Sequence, residues 1–253
     1  MTRRQLYLLL GTVSLVLCIV CLILFLPDRG PQKPLVVRQA TTQVAERGSV
    51  RTEAYESPID FQALQELNED IYAWLYIPGS EINHPVLQSS NGDYDYYLTH
   101  TVDRIEDENG CLFTEYQYNG KDFTDPVTVI YGHQMRGESY FGKLQQYYSD
   151  AKTFKKYKKV EIYLPDRTLK YEVFAALPYS NRHILSFYNK FKYYSSLSSF
   201  LDTVYNARDF GVNIDQSVEI GENDRILILS TCLKGDNTRR FLVLARLVGE
   251  IKY

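Results

Sequence analysis

Cys232 follows the apolar run Ile226-Leu227-Ile228-Leu229-Ser230-Thr231 and precedes Leu-Lys-Gly-Asp-Asn, a turn composition. A thiol at the mouth of a buried strand is held rigidly yet reaches solvent, the setting in which a side chain can react. The same place also suits a cysteine packed as a small hydrophobe, and position alone leaves both readings open. A second run, Val127-Thr128-Val129-Ile130-Tyr131, ends the same way at Gly132-His133. Gly132 permits a close backbone approach, and an imidazole beside a thiol favours the thiolate, which is the nucleophile. Thr238-Arg239-Arg240 opens the last long apolar run, which a six-residue turn brings back beside the Cys232 strand. A guanidinium there can orient a carbonyl or stabilise the oxyanion formed when a thiolate attacks it; otherwise the double Arg is a polar strand edge. Successive strand residues face opposite sides and both faces of the following run are apolar, so periodicity does not say which arginine faces the thiol.

The elements that must position these groups are mostly strands. Short β-branched and aromatic runs separated by turn residues predict strands over 74–77, 82–87, 110–118, 127–132, 159–164, 169–177, 217–220, 225–230 and 240–251. Ser57-Pro58-Ile59-Asp60 announces a helix ahead of them, with Ser57 as cap, Pro58 at the first position and Ile59, Leu64, Leu67 and Ile71 at helical spacing. Two more helices are expected, over 140–148 and 193–207. So many closely spaced strands solve their edge problem by closing, which predicts a mainly β fold: a barrel decorated by helices. Most of the 22 Tyr are expected to be half-buried packing residues with a wet hydroxyl.

Leu229-Ser230-Thr231-Cys232 with Arg240 eight residues on, and Ile130-Tyr131-Gly132-His133 about a hundred residues upstream, resembles the sortase signature. The stretch from Asn68 through Trp74-Leu75-Tyr76-Ile77-Pro78-Gly79, then Pro85-Val86-Leu87-Gln88 and Tyr97-Leu98, resembles class B of that family. The resemblance runs from about Ser57 to the C-terminus. It implies an eight-stranded barrel with a long helix between its sixth and seventh strands, matched by 193–207. It also implies a cysteine transpeptidase in which Cys232 attacks the Thr carbonyl of a C-terminal sorting pentapeptide of the Asn-Pro-x-Thr-x type. His133 and Arg240 assist, and an amine of the peptidoglycan cross-bridge resolves the thioacyl enzyme. Of the two arginines the resemblance chooses Arg240, before Phe241-Leu242-Val243. The substrate groove it implies holds Thr99, His183, Ile184, Ser230 and Thr231. Class B members often carry Asn at the position of Thr99 and Tyr-Ile at that of His183-Ile184, and Cys111 stands where Ser is usual, as a packing residue. The partners implied are surface proteins or pilins bearing a sorting signal; no cofactor or metal is expected.

With 28 Lys and Arg against 31 Asp and Glu the chain is mildly acidic and has no basic stripe, which argues against nucleic acid. The cluster of Lys155, Lys156, Lys158 and Lys159 reads as a solvated helix end leading into a strand. Residues 6–26 carry no formal charge and are long enough to cross the ~30 Å hydrocarbon layer. Arg3 and Arg4 then set residues 1–5 in the cytoplasm, 27–56 form a linker, and 57–253 form the catalytic domain outside a cell membrane. Cys18 and Cys21 fall inside that stretch, which leaves Cys111 and Cys232 as an expected unpaired couple in the domain.

Other cysteine chemistries fit less well. A thiol phosphatase needs Cys-x5-Arg, and position 238 is Thr. Papain-like proteases carry Cys before His, and a caspase would show Gln-Ala-Cys-x-Gly. His84, His100, His133 and His183 share no metal-ligand spacing. The alternatives kept open are a pilin-polymerising class B sortase, a sortase-fold hydrolase that gives its acyl group to water, and a membrane-tethered binding module with Cys232 in its core.

Overall fold

A computed structural model describes residues 57–134 and 140–253. Nine strands form the framework: β1 (Ile71–Tyr76), β2 (Asn83–Leu87), β3 (Leu112–Phe113), β4 (Val127–Tyr131), β5 (Lys159–Tyr163), β6 (Arg167–Ser180), β7 (Asn213–Ile214), β8 (Ile226–Leu233) and β9 (Asp236–Lys252). Their order is β5-β1-β2-β3-β4-β8-β9-β6, and β6 pairs back with β5, so eight strands close into the expected barrel. The two-residue β7 adds to the side of β6. Two pairings are parallel, β2 with β3 and β4 with β8; the second sets the site.

Alternation along the strands sorts the core into an inside and an outside. Ile130, Leu227, Leu229, Phe241 and Val243 point into the barrel. Val127, Val129, Ile226, Ile228, Leu242 and Leu244 point outward, where α4 (Ile184–Phe187) and α5 (Tyr194–Tyr205) cover them with Ile184, Leu185, Leu197, Phe200 and Val204. A third cluster packs α1 (Phe61–Leu67) against the outer faces of β1 to β3, through Phe61, Leu64, Trp74, Leu87, Tyr97 and Phe113. Cys111 belongs to it as a buried packing residue.

Several elements differ from the sequence reading. The first helix is capped by Asp60, whose carboxylate accepts from Ala63 N at 3.1 Å, and it stops at Leu67, so Ile71 begins β1. Asn68 ends it in an extended conformation and its side chain accepts from Asp70 N, a local bond that competes with another helical turn. The strand expected over 110–118 shrinks to two residues. Residues 217–220 form no strand, although Val218 and Ile220 still pack on the outer cluster. The helix expected over 140–148 is α2 (Leu144–Tyr148), followed by α3 (Ala151–Lys156), which Asp150 caps through Lys152 N and Thr153 N. Lys155 and Lys156 close α3 and Lys159 starts β5, while Lys158 pairs with Asp215 at 2.9 Å.

The expectation of a single-pass protein of the cell membrane, with a cytoplasmic N-terminus and an extracytoplasmic catalytic domain, is corrected. Among the described residues no helix is long and apolar enough to cross a membrane. The longest, α5, has 12 residues. At about 1.5 Å per residue it reaches roughly 18 Å, against ~30 Å of hydrocarbon. Residues 6–26, where the span was placed, and the linker 27–56 lie outside the described residues.

Candidate active site

Three strands, β4, β8 and β9, run side by side and carry the reactive groups to one end of the barrel. β8 continues through Cys232, so the thiol sits within the paired ladder rather than after it. Cys232 shares its face with Ile226, Ile228 and Ser230, the outward face, and is half-buried where the helical cover ends. Thr231 points the other way: its side chain is buried and its Oγ1 has no partner among the described residues.

Arg240 is the ladder partner of Cys232 on β9, and its Nη1 lies 3.6 Å from Sγ. The connection differs from the expected six-residue turn. Leu233 already pairs with Asp236 across Lys234-Gly235, so Asn237, Thr238 and Arg239 bulge away from β8, while Arg239 stays in register with Ser180 of β6. That bulge turns carbonyls toward the guanidinium, so Arg240 Nη1 also donates to Asn237 O at 3.2 Å and Arg239 O at 3.3 Å. Arg239 instead forms an ion pair with Asp209. Of the two arginines, only Arg240 is in contact with the thiol.

His133 leaves β4 on the same outward face as Val127, Val129 and Tyr131. Tyr131 pairs with Ser230, and Gly132 N donates to Ser230 O at 3.1 Å, which continues the parallel ladder past the end of β4. That bond keeps the chain beside β8 up to the residue before His133. Gly132 is required by packing: a Cβ there would lie 2.4 Å from Leu112 Cδ2 and 2.8 Å from Phe141 Cδ2. The imidazole Nε2 donates to the carbonyl of Leu98 at 2.7 Å. Thr99, exposed, follows that carbonyl directly in the chain.

A second polar group adjoins the site. His183 Nε2 donates to both carboxylate oxygens of Glu115, at 2.9 and 3.1 Å, and its Nδ1 accepts from Ser186 N as the cap of α4. The bond to Glu115 raises the His183 pKa, against the desolvation that lowers it. Tyr118 and Tyr131 line this pair, with ring centroids 4.7 and 6.2 Å from the imidazole. Burial pushes the Tyr131 phenol well up, and the Glu115 charge adds to it. Ile184, the first residue of α4, is buried in the outer cluster, and Ser230 is buried on the Cys232 face.

The sequence-predicted residues therefore separate. Cys232 and Arg240 are in contact, His133 follows the exit of the neighbouring strand β4 with its imidazole on the carbonyl before Thr99, Ser230 lies on the Cys232 face, and His183 stands by Tyr131. Ile184 and Thr231 spend their side chains on packing. Glu115 and the Leu98 carbonyl were not anticipated. A carbonyl has no residue type to read, but a buried acid among Leu112, Phe113, Tyr116 and Tyr118 is a signal in itself. Cys111 and Cys232 are both free thiols. Burial pushes the Cys111 thiol up to about 12, which leaves Cys111 inert as a nucleophile.

Comparison with known proteins identifies the family and the fold. The sortase domain family model matches residues 75–248. Sortase B of Listeria monocytogenes is 33% identical over 194 residues, which cover 76% of this chain and 71% of that protein. The structure of a Staphylococcus aureus sortase B-substrate complex superposes with a TM-score of 0.62 at 26% identity, covering 74% of this chain and 84% of that one. A Streptococcus pyogenes class B sortase involved in pilus biogenesis has the same fold, with a TM-score of 0.61 at 24% identity over 75% of this chain and 98% of that one. This chain belongs to the sortase family, as a cysteine transpeptidase of class B.

Proposed function

We propose that this transpeptidase cleaves a C-terminal sorting pentapeptide of the Asn-Pro-x-Thr-x type after Thr and transfers the protein to an amine of the peptidoglycan cross-bridge. The observation that supports the reading best is the contact of Arg240 with Cys232, on a ladder whose next strand delivers His133. The Cys232 thiolate attacks the Thr carbonyl carbon, and the negative charge passes to the carbonyl oxygen. Arg240, fixed by the bulge carbonyls, donates to that oxyanion. The C–N bond then breaks, the departing amine takes a proton from the His133 imidazolium, and a thioester remains on Cys232. An incoming amine attacks the thioester, His133 takes its proton, and the thiolate leaves as the new amide forms.

The substrates in this reading are surface proteins or pilins with a sorting signal. Incubation with such a peptide, with and without an oligoglycine amine, tests it by mass spectrometry. An acyl adduct on Cys232 that passes to amide is expected. Release of acid alone in excess amine would make the protein a hydrolase, and an adduct on Cys232→Ala would remove Cys232 from the chemistry.

A further inference from the structure

The nitrogen with which His133 exchanges protons is settled at a distance from the thiol. Its Nε2 lies 2.7 Å from the Leu98 carbonyl oxygen. A carbonyl only accepts, so Nε2 carries the hydrogen and Nδ1 is left for the reacting groups. Leu98 ends the single-turn 3-10 helix Tyr96–Leu98, and the Tyr97 side chain within it is fully buried. Tyr97 Oη donates to Asp70 Oδ2 at 2.7 Å and accepts from Asn68 Nδ2 at 2.9 Å. Arg104 closes the cluster from the surface, 3.1 Å from Asn68 Oδ1 and 3.8 Å from Asp70 Oδ2. Cys111 N donates to Tyr97 O at 2.8 Å, which ties the turn to the start of the β3 segment. The turn is also hemmed in: a Cβ on Gly110 would lie 2.4 Å from Tyr97 O and 2.5 Å from Leu98 O.

We infer that Tyr97 and Asp70 are positioning residues for His133, their buried hydrogen bond holding the Leu98 carbonyl where it fixes the imidazole as the Nε2–H tautomer. The inference rests on His133 being the proton-transfer group proposed above. Neither residue touches the reacting atoms in this reading. Both act through one backbone carbonyl, and the α1–β1 junction thereby becomes part of the site's geometry. A wrong tautomer would present a hydrogen where the mechanism needs a lone pair.

Long-range 1H–15N correlation NMR of the full chain, at a pH where the ring is neutral, reads the tautomer directly. His133→Gln identifies the resonances. The wild type should show Nε2–H. Tyr97→Phe, which keeps the ring and removes the hydroxyl, should admit the Nδ1–H form and lower kcat by roughly 10- to 100-fold, the cost of a misplaced reacting group. KM for the sorting peptide should stay within about twofold, because no substrate contact is lost. Should Tyr97→Phe fail to fold, Arg104→Gln loosens the cluster from its exposed side and should move tautomer and kcat the same way, by less. A wild-type Nδ1–H ring overturns the inference. So does a folded Tyr97→Phe or Arg104→Gln protein with an unchanged tautomer, whatever its kcat. The NMR readout needs no turnover, so failure here is distinguishable from failure of the proposed chemistry, which His133→Ala retaining native activity would reveal.

Discussion

Arg240 faces Cys232 directly across the β8–β9 ladder, with Nη1 3.6 Å from Sγ, while the neighbouring Arg239 pairs with Asp209. Arg239 and Arg240 stand in unbroken register with Ser180 and Tyr179 of β6, so ordinary strand alternation turns them to opposite faces, and the carbonyls of Asn237 and Arg239 hold the Arg240 guanidinium in place.

Arg240→Ala should therefore lower kcat for transpeptidation by about 10²–10³, the usual cost of one oxyanion donor. Arg240→Lys should recover only part, since an ammonium keeps the charge and loses the planar fork. Arg239→Ala removes an exposed ion pair and should stay near wild type. Steady-state kinetics on the three variants decide it. An inactive Arg239→Ala beside an active Arg240→Ala would reverse the roles.

The two described cysteines should differ in reactivity. Cys232 is half-exposed beside a guanidinium, and Cys111 is buried with its thiol pushed up to about 12. Iodoacetamide at neutral pH, followed by peptide mapping, should modify Cys232 more than about tenfold faster than Cys111. Equal rates would contradict the burial of Cys111 and the accessibility of Cys232 together.

Cys232 and His133 could be picked out in the sequence because each stands at the exit of an apolar run that reads as a strand, and Arg240 because it stands at the start of one. The choice between Arg239 and Arg240 needed the family resemblance, since both faces of the run from Leu242 to Val248 are apolar and alternation alone does not say which arginine faces the thiol. The first helix was overrun for a physical reason: Leu64, Leu67 and Ile71 keep helical spacing, yet Asn68 turns its side chain to the Asp70 amide and ends the helix early. Pairing across long separations was not legible at all. Nothing local ties Glu115 to His183, 68 residues on, or the Leu98 carbonyl to His133, 35 residues on. Ile184 and Thr231 were expected in the groove because the resemblance concerns the backbone path, and the side-chain direction at each is inward.

Gly132→Ala should destabilise the fold as well as the site. Its Cβ would enter the space of Leu112 and Phe141, both fully or nearly fully buried, so something in the barrel interior must shift. Overpacking of this kind costs about 1–3 kcal/mol. The same shift moves the residue that precedes His133, so kcat should fall at temperatures where the variant is folded. Urea unfolding and turnover checked together test this, and wild-type stability in Gly132→Ala would show that the barrel yields there.

The His183–Glu115 pair should make stability depend on pH in a defined direction. Its carboxylate bond raises the His183 pKa above the usual 6.5, so the folded state binds a proton more tightly than the unfolded chain. A raised histidine contributes stability that is fully present below the unfolded pKa and is lost as pH rises through the folded one. The gain is modest because the imidazole is partly exposed and screened. Protonation also has a local cost, since Nδ1 must give up the bond it accepts from Ser186 N at the start of α4. Glu115→Gln removes the charge that outweighs this cost and keeps an acceptor for Nε2. The melting temperature of the wild type should exceed that of Glu115→Gln most below the usual pKa of 6.5, and the excess should shrink as the pH rises above it. The peptide KM of the wild type should change over the same interval if His183 borders the groove, with that change lost in Glu115→Gln. A wild-type advantage that grows as pH rises would mean that His183 is held neutral by its cap to Ser186 and that the carboxylate does not govern its proton.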